Sequence, residues 1–457
     1  MDNQSAPILA DKNSNVWKWN LTMLWISQLL VLAGFSALIP FVSLFMKDVI
    51  LKGIPENSLA IYVSMFQFSG SFGYMIGNPL WGSLSDRFGT KIMLIRGTFG
   101  GGILFPLMAY CSNVWVFIIL RLFSALLAGT TAASQIMIAR MTPDNRQGFA
   151  QGTLLTAFWG GSMLGNVVGG FVIHNYGYTA VFWVCGIMYF VAGIAILFIR
   201  EELSFLRIAP KEASSAESAI LPEKKAPCEG KISSPEKKKE KSLYRNIRPH
   251  FNMITWLMCV LFFTNAYLRM LEVPFIALQV ETLVPKGEAA YWTGIIGVVV
   301  CGGAIISGVI AGHLSDRYTP TKIMPFILIV SAGFLVWQAM ADSLLSFGIS
   351  RTIGFMIGGV FGAFLQKTVV SMTPKRRRGA VLGYSQSFGS AGAMAASVIG
   401  GWVVFGSTLS GVFFFAAASY ILVLPLVYKV FSLAESTPFY RVHSSALKKR
   451  KAVEQKS

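Results

Sequence analysis

GSLSDRFGTKIM, residues 82–93, returns as GHLSDRYTPTKIM at residues 312–324, and MTPDNRQG, residues 141–148, returns as MTPKRRRG at residues 372–379. A chain that matches itself at a fixed spacing is built from repeated structural units. The spacing that carries Met141 onto Met372 also carries Gly152, Gly161, Gly169 and Gly170 onto Gly383, Gly392, Gly400 and Gly401. Pro40 in ALIPFVSL answers to Pro274 in LEVPFIAL, and Arg121 answers to Arg351 within one residue. So many matches in one order make the chain a parallel duplication.

What lies between the matched motifs is apolar. Of 457 residues, 54% are hydrophobic and 13% charged, against roughly 25% charged in a soluble domain. That charge is too little to coat a soluble surface of this size. The apolar runs reach the ~20 residues a helix needs to cross hydrocarbon. Inside lipid every backbone amide needs an internal partner, so such runs must be helices. The ten-residue alternation of an outer-membrane barrel is absent. The expected fold is an all-α membrane protein of twelve transmembrane helices in two pseudo-symmetric six-helix bundles. Spans are expected near 17–46, 58–83, 91–111, 114–140, 148–173 and 178–200, then near 251–281, 290–314, 322–341, 344–371, 379–405 and 410–431.

Lys and Arg concentrate in one set of loops. They include Arg87 and Lys91, Arg140 and Arg146, Arg317 and Lys322, and Lys375 to Arg378. The opposite loops hold little beyond Lys47, Lys52 and Lys286. By the positive-inside rule both termini face the cytoplasm of a cell inner membrane. The expected organisation is a cytoplasmic tail at 1–16, bundles at 17–200 and 249–431, a linker at 201–248 and a basic tail at 432–457. The linker mixes Lys, Glu, Ser and Pro without apolar periodicity and reads as a disordered tether. The formal charge of +18 is spread over one membrane face, which points to topology and lipid contact rather than nucleic acid. The polar start runs into a span too long for a signal h-region, so no cleaved leader is expected.

The loop G-S-L-S-D-R-F-G-T-K resembles the signature loop of the major facilitator superfamily, with Thr90 where a basic residue is usual. Gly152, Gly161, Gly165, Asn166, Gly169 and Gly170 follow the fifth-helix pattern of its proton-coupled drug antiporters, with Asn166 at the usual proline. The resemblance covers nearly the whole chain outside linker and tails, and is to the twelve-span bacterial multidrug-resistance branch. It implies a conformational latch at Gly82, Asp86, Arg87, Gly89 and Lys91, with Asp316 and Arg317 in the second copy. It also implies that the fifth-helix glycine face controls which conformations are accessible. Read plainly, the loop charges serve topology and the glycines allow close helix packing. Arg121 with Gly129 loosely matches the family's fourth-helix motif, which implies a part in proton transfer or in holding a partner.

Charges inside the hydrocarbon each cost a few kcal/mol and need pairing or hydration. Arg269 and Glu272 are spaced i, i+3, so a pair between them is expected. Glu272 is the clearest acid inside a span, because Asp48, Glu281 and Asp342 sit at span ends. Apolar surroundings favour the protonated carboxyl and a neighbouring guanidinium favours the carboxylate. That opposition makes Glu272 the leading proton-coupling candidate, with Arg121 the second. A fixed ion pair is the structural alternative. Arg269, Arg351, Gln135, Asn265 and Gln366 are the substrate-cavity candidates.

These observations point to a secondary transporter that exports small lipophilic compounds by alternating access, driven by protons. Abundant Phe, 35 residues, suits lipophilic and often cationic cargo. The alternative cargo is an anionic metabolite or siderophore, which Arg121, Arg269 and Arg351 would clamp. The four dispersed histidines and five scattered cysteines form no metal or catalytic motif. An enzyme and a non-transporting sensor are the lesser readings. No nucleotide-binding loop occurs. The expected partners are a small-molecule substrate, protons and membrane lipids, with no nucleic acid, cofactor or metal, and the chain is expected to act as a monomer.

Overall fold

The two prolines that answer each other interrupt their helices in the same way. A proline ring has no N–H to donate and clashes with the carbonyl one turn back. Span one accordingly runs Val16–Leu38, takes a single 3-10 turn at Ile39–Phe41, and resumes at Val42–Phe45 before widening into a π-turn at Met46–Ile50. Span seven runs Met253–Met270, turns at Val273–Phe275 and resumes at Ile276–Leu283. This computed structural model describes residues 16–142, 146–200, 253–285, 287–373 and 378–436. The expected N-terminal tail, save its last residue, and the expected linker lie outside the described residues, as does the tail beyond Ser436.

Spans two and three are Glu56–Phe88 and Thr90–Met108, and spans five and six are Gln147–Tyr176 and Tyr178–Leu197. Spans eight to twelve are Ala289–Arg317, Pro320–Ala339, Leu344–Met372, Arg378–Gly406 and Gly411–Ser436. Among the described residues, 11 helices are long and apolar enough to cross a membrane. Span four departs from the expected continuous helix. It is Val114–Leu127 followed by Thr130–Met141, broken where Gly129 takes φ +114°. That backbone suits glycine, which has no Cβ to clash. Its counterpart, span ten, is continuous.

The packing repeats as the sequence does. Span one packs on five, two on four and three on six. In the second half seven packs on eleven, eight on ten and nine on twelve. The halves join through two against eleven and five against eight. One continuous apolar core runs through both bundles and a smaller one lies within the first, while large side chains such as Leu345, Phe326 and Leu422 face outward, as a lipid-facing surface allows.

Glycines set how closely the spans approach. A Cβ at Gly161, Gly165 or Gly169 would land on the carbonyl oxygen of Leu29, Ala33 or Ala37 of span one. Gly170 instead faces Ala290 and Gly294 of span eight. Across the other seam, a Cβ at Gly401 would meet Ser64 of span two. Gly152, grouped with these by its motif, has nothing within 4 Å.

Candidate functional site

Among the described residues, the clearest charged site lies in the second half, where the break in span seven re-aims its acid. Helical geometry ends at Met270, so Glu272 sits in the turn before Pro274, outside the helix that carries Arg269. The expected Arg269–Glu272 pair does not form. Glu272 instead accepts from Arg351 Nη1 of span ten at 2.5 Å, with both side chains almost fully buried at 6% and 7% exposure. An i, i+3 contact presumes a continuous helix, and here the helix has already ended. Arg269 lies over the Phe355 ring, 4.4 Å from its centroid, in a cation–π contact.

Around this pair a small cavity of about 20 Å³ is lined by Ser331, Gln338, Phe355 and Tyr420 together with the three charged residues. That is room for about one water. Glu272 Oε2, Ser331 Oγ and Gln338 Oε1 are buried and have no protein partner. Two acceptor oxygens and a hydroxyl without protein partners, beside a guanidinium, form a polar pocket that can hold water or pass a proton.

The first half holds the same arginine without the acid. Arg121 is 2% exposed, and its Nε and Nη1 have no hydrogen-bond partner among the described residues. Its guanidinium sits among Phe35 and Phe66 at 5.4 Å and Tyr74 at 5.8 Å. Gly70 makes the room, since a Cβ there would stand 2.6 Å from Arg121 Nε. The register that maps Pro40 onto Pro274 maps Phe35 onto Arg269 and Leu38 onto Glu272. Leu38 is buried and apolar. One half therefore neutralises its arginine and the other surrounds it with aromatic faces.

A half-buried guanidinium, missed in the sequence, closes the break in span four. Arg96 of span three lies 3.3 Å from the centroid of the Trp81 ring. Arg96 Nη2 donates to Ala128 O at 3.2 Å, and Trp81 Nε1 donates to Leu126 O at 2.6 Å. The two side chains satisfy carbonyls that the helix break sets free. A charge within an apolar run was the available signal. Neither residue has a counterpart in the second copy, where Ala311 and Ile327 stand.

The remaining candidates separate. Gln135 and Gln366 are exposed on spans four and ten, and Asn265 is half-buried with its Oδ1 unpartnered. None of the three joins the Glu272 cavity. Asn166 donates to Ser162 O at 2.8 Å and reaches Cys301 Sγ across the halves at 3.7 Å. Lys91 does not cross between halves: its Nζ donates to Leu197 O and Ile199 O, capping the end of span six. Gly89 opens span three at φ +90°. The side chains of Asp86, Arg87, Asp316 and Arg317, and the surroundings of Gly82, lie outside the described residues.

Where the halves meet bears on which side is open. At the end away from residues 200 and 253, Lys47 Nζ pairs with Glu281 Oε2 at 3.1 Å. Asn166, Gly170 and Gly401 make their cross-half contacts in the same part of the molecule. The halves are in contact at this end.

The family model described as Major Facilitator Superfamily matches residues 24–308 and 258–453. The chain is 30% identical over 425 residues to "Multidrug resistance protein MdtG" of Klebsiella pneumoniae (strain 342), covering 91% of this chain and 94% of that protein. It is 28% identical over 413 residues to the protein of the same name from Proteus mirabilis (strain HI4320), covering 89% and 94%. Among solved structures, a D-xylose–proton symporter superposes with TM-score 0.67 at 15% identity, over 91% of this chain and 98% of that one. The inward-open xylose transporter XylE from E. coli superposes with TM-score 0.65 at 14% identity, over 90% and 95%.

Proposed function

The chain belongs to the Major Facilitator Superfamily, as a multi-pass inner-membrane transporter of its multidrug-efflux branch, and on that premise we propose that it exports small lipophilic molecules in exchange for protons. The observation that carries the proton coupling is the buried Glu272–Arg351 pair with one carboxylate oxygen facing a polar cavity. Protonation of Glu272 releases Arg351, and loss of the proton restores the pair. A two-state element of this kind links proton binding to a change of packing between spans seven and ten. The contact at Lys47–Glu281 closes one end, as in one state of a rocking cycle.

A second reading of the cargo rests on charge. Among the described residues, spans four, seven and ten carry Arg121, Arg269 and Arg351 and one buried carboxylate, Glu272, which pairs with Arg351. An uncompensated guanidinium favours a substrate that brings its own acidic group.

The test uses purified protein in liposomes with a pH-sensitive dye inside. Lipophilic cations and lipophilic carboxylates are each added under an imposed proton gradient, with wild type and Glu272→Gln. Substrate-dependent proton movement that Glu272→Gln abolishes is the expected result. Movement unchanged in Glu272→Gln overturns the assignment of Glu272. A signal with carboxylates alone selects the second reading.

A further inference from the structure

On the outer face of the first half, spans one and five leave a groove of about 550 Å³. Trp17, Leu21 and Trp25 wall it from span one, and Phe149 and Thr153 from span five. Lys18 and Arg146, both exposed, stand at its mouth, and none of the eight lining residues is acidic. Trp25 Nε1 donates to Thr156 Oγ1 at 3.1 Å and closes the groove at its inner end.

Its direction is set by span five. Residues 149, 153, 156, 160, 164, 167 and 171 recur every three or four positions and so share one helix face. Along that face Leu164, Val167 and Phe171 are 49%, 51% and 54% exposed, and Gly160 offers no side chain and has nothing within 4 Å. The opposite flank is occupied, by span one at Gly161 and Gly165 and by span eight at Gly170. The groove therefore opens away from the path between the halves, onto the apolar perimeter. Its cations lie where the two spans begin, at headgroup depth, and its two tryptophans are residues that favour that depth. Arg146 is also the residue that precedes the first turn of span five, whose free N–H groups favour an anion.

We propose that this groove is a binding site for one anionic glycerophospholipid. Its phosphate lies between Lys18 and Arg146, its glycerol region against Trp17 and Trp25, and an acyl chain along Phe149, Gly160, Leu164 and Val167. The match is one of charge and shape together. Two cations, with no acid among the described lining residues, select a headgroup of net negative charge over a zwitterion, whose ammonium they repel. The apolar stripe takes the chain.

The test measures tryptophan quenching in detergent-purified full-length protein titrated with phosphatidylglycerol or phosphatidylcholine carrying identical brominated chains. Quenching at the groove is the part that the Trp17→Phe, Trp25→Phe variant lacks. Phosphatidylglycerol is expected to act at a roughly tenfold lower mole fraction, the preference two basic side chains at a headgroup support. Lys18→Gln with Arg146→Gln removes that preference and leaves quenching by phosphatidylcholine in place, whereas Lys18→Arg with Arg146→Lys retains it. Equal quenching by the two lipids overturns the proposal, as does a preference that survives the glutamine pair. Quenching that emerges only after residues 2–14 are deleted means the chain's own N-terminal segment occupies the groove, and that also overturns it.

Discussion

Glu272 pairs with Arg351, 79 residues away, and not with Arg269 on its own span. The partner is decided by the turn at Pro274, which lifts the carboxylate off the helix and turns it toward span ten. Removing one member of such a pair strands a buried charge, at a cost of about 3–5 kcal/mol. Arg351→Leu is therefore expected to lower the Tm in detergent sharply. Glu272→Leu combined with Arg351→Leu recovers most of that loss, since a pair replaced by apolar groups of similar volume is close to neutral. Arg269→Leu, which loses a cation–π contact, costs about 1 kcal/mol. A double variant no more stable than Arg351→Leu alone would contradict the pairing.

The missing acid of the first half makes a second prediction. Leu38 occupies the register position of Glu272, and Arg121 that of Arg351. Leu38→Glu is expected to fold because Arg121 neutralises it. In an Arg121→Leu background the same substitution buries a lone carboxylate and lowers the Tm by several degrees more. Thermal unfolding of the four proteins of this cycle reads the coupling directly. Additive effects of the two substitutions would show that Leu38 does not face Arg121.

Lys47 and Glu281 are also register partners under the spacing that maps Pro40 onto Pro274, and they join the halves at the closed end. Their side chains are 31% and 25% exposed, so the pair is worth about 1 kcal/mol. That is enough to shift a balanced two-state population roughly fivefold. Glu281→Lys is expected to favour opening at this end, measured by labelling of a cysteine placed at Ser64. The exchange Lys47→Glu, Glu281→Lys restores wild-type labelling.

Arg96 and Trp81 carry the fourth prediction. Each bonds a carbonyl beside the break in span four. Leaving such a carbonyl unpartnered costs about 1–3 kcal/mol. Arg96→Leu or Trp81→Phe is expected to raise hydrogen exchange in Thr130–Met141 and to leave span ten unchanged. A uniform rise across both halves would mean general destabilisation instead.

Two glycines of one motif behave differently. Gly165→Ala places a methyl on the Ala33 carbonyl, and overpacking of this kind costs about 1–3 kcal/mol. Gly152→Ala meets nothing within 4 Å and gains about 0.5–1 kcal/mol from helix propensity. The Tm of the first falls and that of the second rises or holds.

The duplication, the spans and the family were legible in the sequence because each depends on short-range information. Apolar length reports whether a helix can cross a membrane, and internal matches report the repeat, without any need of coordinates. The glycines of span five were legible as a small-residue face for the same reason. Partnership was not legible. Spacing along one helix favoured Arg269 for Glu272, whereas the acid was re-aimed by a helix break and met a side chain brought in by another span. The break in span four, and the Arg96–Trp81 contacts that satisfy it, depended likewise on a glycine conformation and a neighbouring helix. Sequence alone placed Arg121, Arg269, Glu272 and Arg351 inside the spans as charges. Only the tertiary structure decided which of them are neutralised, because in a low-dielectric interior a charge is compensated by whatever lies within a few ångströms in space.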